Sequence, residues 1–272
     1  MGKALGIFMW VLVAAVVVLF MAHGIWPAAA TWWLPHSISA HGAEYDAQFN
    51  RTLVVVAIAF ILAQVALGYV VFRFGSKKGV KAVYSHGSNR LEVTWTLVTF
   101  VVFATLAVMG QQVWAQLHFH DAPPGAVNIE CTSEQFAWNF RYPGPDNLFG
   151  RIDPKLVDDA GGNPVGLDDK DPAGKDDIVS STLWVPVNRP VHLILKSKDV
   201  IHSFFVPNLR FKQDLVPGMA INVHFTPIEV GTYEITCAEL CGLGHYKMQS
   251  SMHVVSEEDY AKWLKDREAA LQ

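Results

Sequence analysis

Hydrophobic and polar positions divide the chain into two unlike parts. The first carries three long apolar runs: Leu5 to Met21, Leu53 to Phe72 broken only by Gln64, and Val93 to Gly110, interrupted only by threonines and Trp95. A bilayer core takes about 20 mainly apolar residues in a helix. With their flanks the second and third runs reach that length, which predicts membrane spans at about residues 51–74 and 92–114 within a helical hairpin covering residues 31–115. Neither run shows polar positions at helical spacing, as a long core helix of a soluble protein would. The first run lies within residues 1–30, follows Lys3 and precedes Ala28-Ala29-Ala30. It reads either as a signal peptide with a small-residue cleavage site or as an additional N-terminal transmembrane helix.

The second part changes period. Short stretches rich in β-branched and aromatic residues, bounded by Pro, Gly and Asn, run from Val127 to Cys131, Gln135 to Tyr142, Ser181 to Val185, Val191 to Ser197, Ile221 to Phe225, Gly231 to Thr236 and Ser251 to Val255. That pattern predicts an all-β sandwich or barrel over residues 116–272. Glu257 to Ala270 reads as a short C-terminal helix, with Ser256 as N-cap and Asp259 three residues on in a near-match to a capping box. Residues 144–178 stand apart as an Asp-rich insertion. Eight aspartates between Asp153 and Asp177 face three lysines among many Gly and Pro, so the segment is expected to be a solvated surface insertion. Its Asp168-Asp169-Lys170-Asp171 lacks the spacing of an EF-hand calcium loop.

Composition and charge sharpen this division. The chain is 51% hydrophobic and 17% charged, with a mean hydropathy of +0.23; soluble domains carry about 25% charged residues. Disorder is excluded, and three cysteines in 272 residues are too few for a disulfide-stapled scaffold. A pI near 6.2 offers no basic footprint for nucleic acid. Seven cations and three acids give the first 114 residues a charge of +4, leaving −8 for the rest of a chain whose total is −4. Five of those cations fall between Arg73 and Arg90, where there is no acid. Short basic loops stay on the cytoplasmic side, so the loop at 75–90 is expected to face inward. The acidic C-terminal domain is then expected on the outer side. Trp95 and Trp114, near the two ends of the third run, suit the aromatic belts of a bilayer.

The candidate chemistry is concentrated in Cys237-Ala-Glu239-Leu-Cys241-Gly-Leu-Gly-His245-Tyr-Lys-Met248. Cys241, His245 and Met248 offer a thiolate, an imidazole and a thioether within one loop, and with a distant histidine they form the donor set of a blue-copper electron-transfer centre. His202, after a strand-like run and before Ser203-Phe204-Phe205, is the candidate for that histidine. Cys237 is a second thiolate that one copper has no use for. Two thiolates can bridge two coppers, spreading the bond-length change of electron transfer over both. A Cys237–Cys241 disulfide with Cys131 left over, or a zinc site, are the competing readings, although structural zinc sites usually use a two-residue gap between cysteines.

These residues carry a resemblance to a known family. The Cys-x-Glu-x-Cys-x3-His-x2-Met motif, with Asp199-Val-Ile-His202-Ser-Phe and Asp214-Leu-Val-Pro217-Gly218, resembles subunit II of haem-copper cytochrome c oxidases, from about Ala40 to the C-terminus apart from the insertion. The resemblance implies a membrane helical hairpin followed by a cupredoxin-like Greek-key barrel. It also implies a dinuclear copper centre, CuA, with His202, Cys237, Cys241, His245 and Met248 as side-chain ligands and Glu239 giving its backbone carbonyl. The Glu239 carboxylate would reach a magnesium ion shared with the catalytic subunit. Glu92, in Leu91-Glu92-Val-Thr-Trp95-Thr, would stand at the inner mouth of a proton pathway; read by itself it is a glutamate favoured by the dipole of a helix N-terminus.

The implied function is that of the electron-accepting subunit of a terminal oxidase. Electrons from cytochrome c or another small periplasmic donor would reach CuA and pass, by the His245 side, to haem in catalytic subunit I, with subunit III completing the complex. No haem attachment motif C-x-x-C-H occurs in these residues, so the donor is expected to be a separate protein. The family's Gln-Trp-x-Trp stretch appears as Gln135-Phe136-Ala137-Trp138. Phe136 thus replaces the tryptophan regarded as the point where electrons arrive, and Trp138 is either its substitute or a core residue. His118 and His120 are expected at the membrane surface, and His224 and His253 as structural strand residues. A nitric oxide reductase CuA subunit, a nitrous oxide reductase and a copper-free structural subunit of a quinol oxidase are the alternatives; the full ligand set argues against the last, and the membrane hairpin against the second.

Overall fold

The computed structural model describes residues 2–22, 33–76, 79–81, 83–84 and 86–271. The Ala28–Ala30 cleavage motif and Lys77 and Lys78 of the basic loop lie outside the described residues. The chain divides into two compact units: residues 1–35 with 44–113, and residues 36–43 with 114–272.

Among the described residues the first unit is helical. Helix α1 spans Gly2–Ala22, α2 Gly42–Phe74 and α3 Asn89–His118, and each is long and apolar enough to cross a membrane. At 1.5 Å per residue, the 33 residues of α2 measure about 50 Å against an apolar layer of about 30 Å. The helix therefore begins nine residues before the expected span, because polar Glu44 to Arg51 continue it with no proline or glycine to stop it. Side chains such as Ile58, Leu62, Phe100 and Phe103 are exposed, as lipid-facing or partner-facing positions are.

The second unit is a β-sandwich of two five-stranded sheets, ordered β3-β2-β1-β5-β8 and β4-β10-β9-β6-β7. The strands are β1 Val127–Glu134, β2 Ala137–Tyr142, β3 Ile178–Ser180, β4 Leu183–Pro186, β5 Val191–Ser197, β6 His202–Val206, β7 Phe211–Leu215, β8 Ile221–Phe225, β9 Gly231–Cys237 and β10 Gln249–Val255. Alternation drives the burial: in β5, Val191, Leu193 and Leu195 are buried and the residues between them are not. Phe204 of β6 meets Trp138 and Phe140 of β2 nearly edge-on, at centroid distances of 5.8 and 6.4 Å, joining the sheets. Cys131 is fully buried in this core, and burial pushes its thiol pKa up, as for a small hydrophobe with no polar task. The strand expected to begin at Gln135 begins at Ala137 instead, and Gln135-Phe136 form the β1–β2 turn.

The C-terminal helix α4, Glu257–Leu271, has the expected cap: the Asp259 N–H donates to Ser256 Oγ (3.1 Å), whose hydroxyl donates to Asp259 Oδ2 (2.7 Å). Its Trp263 stacks on Trp184 at 5.4 Å and meets Tyr142 at 4.8 Å, which fastens the helix to the sandwich.

Two features differ from expectation. Residues 36–43, expected with the hairpin, belong to the β unit. Ile38 is fully buried, its N–H donates to the Asn208 carbonyl (2.9 Å), and its carbonyl accepts from the Ile228 N–H (2.8 Å). The Asp-rich insertion is also more than solvated surface. Arg141, buried in β2, pairs with Glu130 and with Asp177 (3.0 Å) and donates to the Gly150 carbonyl (2.7 Å), while Lys198 bridges Glu134 and Asp159. Within the insertion, Asp153 and Asp171 cap short 3₁₀ turns through their side chains. Asp153, Asp158, Asp159, Asp168, Asp171 and Asp177 hold turns or ion pairs, which composition alone does not reveal.

Candidate metal centre

The candidate ligands come from two strand ends and one loop. His202 opens β6, Cys237 closes β9, and Cys241, His245 and Met248 lie between β9 and β10. The loop is pinned at its base: the Ala238 N–H donates to the Ser203 carbonyl (3.0 Å) and the Cys237 N–H to the Met248 carbonyl (3.2 Å). Gly242 lies at φ +133°, where side chains are rarely tolerated, and a Cβ there would stand 2.7 Å from Gln135 Nε2. His245–Lys247 form a 3₁₀ turn that brings His245 and Met248 back toward Cys241.

The donors converge. Cys237 Sγ lies 3.9 Å from Cys241 Sγ and 3.9 Å from His202 Nδ1. Cys241 Sγ lies 3.6 Å from His245 Nδ1 and 3.8 Å from Met248 Sδ, which is 3.2 Å from His202 Nδ1. The Glu239 carbonyl is 3.1 Å from Cys237 Sγ, while its carboxylate side chain is exposed. His202, Cys237, Cys241 and Met248 are buried and His245 is half-buried. His202, Cys237 and Cys241 form the one trio of metal-ligating side chains that meets within 4.8 Å among the described residues.

Outer contacts fix the cluster. His202 Nε2 lies 2.8 Å from Asp199 Oδ1; when it donates there, Nδ1 is left with its lone pair toward the sulfurs, the tautomer a metal ligand requires. Burial acts to raise the Asp199 pKa, but hydrogen bonds from His202, the Gln135 N–H (2.7 Å) and the Val200 N–H (2.7 Å) together bring it below its usual value. Gln135 also donates from Nε2 to the Cys241 carbonyl (2.5 Å), tying the β1–β2 turn to the ligand loop. Burial first, and then the neighbouring Cys237, push the Cys241 thiol up to about 11.

The donor set fits copper. With metal–sulfur bonds of about 2.3 Å, one metal can touch both sulfurs up to a separation of about 4.6 Å, so 3.9 Å leaves room for a metal on either side of the line between them. That spacing is nearly twice the roughly 2.05 Å of a disulfide, and all three cysteines are free. Two thiols, two imidazoles and a thioether form a soft set that suits copper better than hard cations.

The remaining candidates fall elsewhere. Phe136 is 39% exposed and its ring lies against Gly242 and Gly244 of the ligand loop. Trp138 is 2% exposed, a core residue whose ring centroid lies 6.4 Å from that of His202, so it presents no surface tryptophan. Glu92 sits exposed in the first turn of α3. His118 stacks on Trp114 at 4.3 Å, and with His120, His192 and His224 it lines a cavity of about 570 Å³ beside the end of α3. Asp199 and Gln135 are the positioning residues that motif reading leaves without a role. An Asp three residues before the histidine was the available signal for the first; no local signal marks the second.

A β-sandwich whose ligand loop gathers two thiols, two imidazoles and a thioether, carried on membrane-length helices, defines a membrane-anchored protein with a C-terminal cupredoxin-type electron-transfer domain. Residues 127–257 match the profile of the cytochrome c oxidase subunit II periplasmic domain, and residues 27–113 that of its transmembrane domain. The chain is 37% identical over 238 residues to the alternative cytochrome c oxidase subunit 2 of Bradyrhizobium diazoefficiens, covering 87% of this chain and 84% of that one. It is 32% identical over 221 residues to cytochrome c oxidase subunit 2 of Cereibacter sphaeroides, covering 78% and 72%. Among solved structures, the periplasmic domain of subunit II of cytochrome oxidase of Bradyrhizobium japonicum aligns at 25% identity and a TM-score of 0.41, covering 55% of this chain and 99% of that one. The chain belongs to the cytochrome c oxidase subunit II family. It is thus a subunit of a haem-copper oxidoreductase complex, and its family implies a CuA copper centre.

Proposed function

We propose that His202, Cys237, Cys241, His245 and Met248, with the Glu239 carbonyl, hold CuA, and that this chain takes electrons there from a cytochrome c-like donor and passes them to haem in the catalytic subunit. The observation that carries this reading is the convergence of five soft donors, four of them buried, on one point. Bound copper supplies a one-electron redox couple. The chain's own part is to keep the donors still: strand ends fix His202 and Cys237, the loop base fixes Met248, and Asp199 holds the His202 ring, so little moves when the charge changes. Because the Cys241 thiol is held up to about 11, taking up copper releases protons, and loading is favoured by rising pH.

Phe136, exposed against the ligand loop, is the best placed apolar contact for an incoming donor. Leu240, Leu243 and Tyr246 project from the same loop with 78%, 98% and 70% exposure, which supports a surface covered within a complex containing catalytic subunit I and subunit III. The exposed Glu239 carboxylate is free to bind magnesium shared with the catalytic subunit, a hard ligand for a hard ion. The basic loop after α2 supports a bacterial inner membrane orientation with the β unit periplasmic, and that orientation puts Glu92 at the cytoplasmic side as a proton acceptor.

The test is electron paramagnetic resonance of the copper-loaded full chain in detergent. A hyperfine pattern from one electron shared equally over two coppers is expected. A single-copper pattern, or a Cys237–Cys241 disulfide with no copper bound, overturns the assignment. For Glu92, unchanged turnover of the Glu92→Gln complex overturns proton uptake.

A further inference from the structure

We propose that α1 is a retained membrane span, one of three among the described residues, seated on α2 through a glycine interface, rather than a leader removed during export. It lies outside residues 27–113, the stretch that the family's transmembrane profile covers. Its 21 residues measure about 32 Å, enough for the apolar layer of about 30 Å.

The contact with α2 is specific. A Cβ added at Gly6 would stand 2.7 Å from Phe72 Cβ and 2.9 Å from the Gly68 carbonyl oxygen. One added at Gly68 would stand 2.4 Å from Trp10 Nε1, and one at Gly2 would stand 2.9 Å from Gly75 Cα. Gly2, Gly6 and Trp10 are spaced four apart and share one face of α1; Gly68 lies in α2, and Gly75, seven residues on, directly follows its last residue, Phe74. Both partners thus lack side chains where the backbones meet, the arrangement that lets helices pack closely in lipid. Trp10 Nε1 donates to the Val65 carbonyl at 3.2 Å, a bond that matters most where no water can replace it. Trp10 also packs on Phe72 at 5.6 Å.

The direction of the pair agrees with an independent signal. Gly2 meets Gly75 at one end, while at the other Phe20 meets Trp33 at 5.6 Å and Trp33 meets Phe49 at 5.9 Å, so the helices run antiparallel. Lys3 then lies at the same end as the basic loop that follows α2, with its ammonium 5.8 Å from the Phe72 ring centroid, and both fall on the cytoplasmic side by the positive-inside rule. An export leader needs only apolar length; it does not need a matching groove of Gly68, Phe72 and Gly75 in the chain it leaves behind.

The experiment is the intact mass of this subunit in the oxidase complex purified from its own membranes, a readout independent of copper. A mass that includes residues 2–22 is expected, and an N-terminus at or beyond Ala28 overturns the proposal. Gly6→Leu and Gly68→Leu, made separately in the full chain, should each lower the amount of assembled subunit about fivefold or more. Val18→Leu, at a position 66% exposed, should leave it unchanged. Retention of residues 2–22 together with normal assembly of both glycine variants overturns the interface.

Discussion

Asp199→Ala tests how the ligand set is held. The substitution removes the acceptor 2.8 Å from His202 Nε2 and the partners of the Gln135 and Val200 N–H groups. The two amides lie on exposed turns where water can replace the carboxylate, but the His202 ring is fully buried and its N–H is left without a partner. A buried donor so orphaned costs about 1–3 kcal/mol in stability. Loss of the bond also frees the ring to take the other tautomer, with the proton on Nδ1 where the metal should bind. Outer partners of metal-bound histidines are typically worth about 10–100-fold in affinity, or about 1.4–2.7 kcal/mol. Copper titration of the full chain against a competing chelator should show that loss, and nitrogen NMR of the metal-free chain should show the tautomer shift. Asp199→Asn keeps an oxygen for the ring and should lose less, although its amide faces a backbone N–H. Wild-type copper affinity in Asp199→Ala, or equal damage in both variants, would refute the reasoning.

Three further outcomes follow from the β unit. Arg141→Ala leaves Asp177 a buried carboxylate without its cation, while Glu130 keeps only Lys196, and should destabilise the unit by about 3–5 kcal/mol in denaturant unfolding. Burial raises the Asp177 carboxyl to about 6, above its usual value, despite hydrogen bonds from Gly150 and Arg141. The folded state therefore binds the extra proton between about pH 4 and 6, so this contribution to stability is present below that window and lost as pH rises through it; Asp177→Asn should flatten the slope seen in thermal unfolding across the window. Ile38→Ala empties a fully buried site in the segment before α2 and should cost about 2–5 kcal/mol, read as a lowered midpoint of the β unit's transition.

The parts of this structure that were legible in the sequence are those set by local pattern. Apolar length marks the helices, alternation marks strands such as β5, Ser256 with Asp259 marks the start of α4, and the loop from Cys237 to Met248 carries its donors at fixed spacing. What was not legible depends on pairing between distant residues. Arg141 meets Asp177 across 36 positions and Gln135 meets the Cys241 carbonyl across 106, and neither pair has a spacing rule. The burial of Trp138 likewise follows from Phe204 in the opposite sheet, so the aromatic stretch alone could not separate a surface role from a core one. The attachment of Ile38 follows from hydrogen bonds to Asn208 and Ile228, whose loops are adjacent only once the sandwich forms.

That same long-range tethering decides how the negative charge of the outer domain can act. As a floating insertion, the segment at 144–178 would spread its field over many positions, most of them beyond the screening length of about 8 Å at physiological ionic strength. The Arg141 anchor and the Lys198 bridge between Glu134 and Asp159 instead hold parts of it in fixed places, one of them beside the turn that carries Phe136. Asp199 adds a carboxylate bonded to that turn through the Gln135 N–H. If donors arrive at Phe136, as proposed, the few acids fixed next to that turn dominate their attraction, and the larger total of −8 contributes little. The salt dependence of the donor's association rate should then respond to Glu134→Gln or Asp159→Asn, and hardly at all to removal of Asp169, which takes part in neither tether.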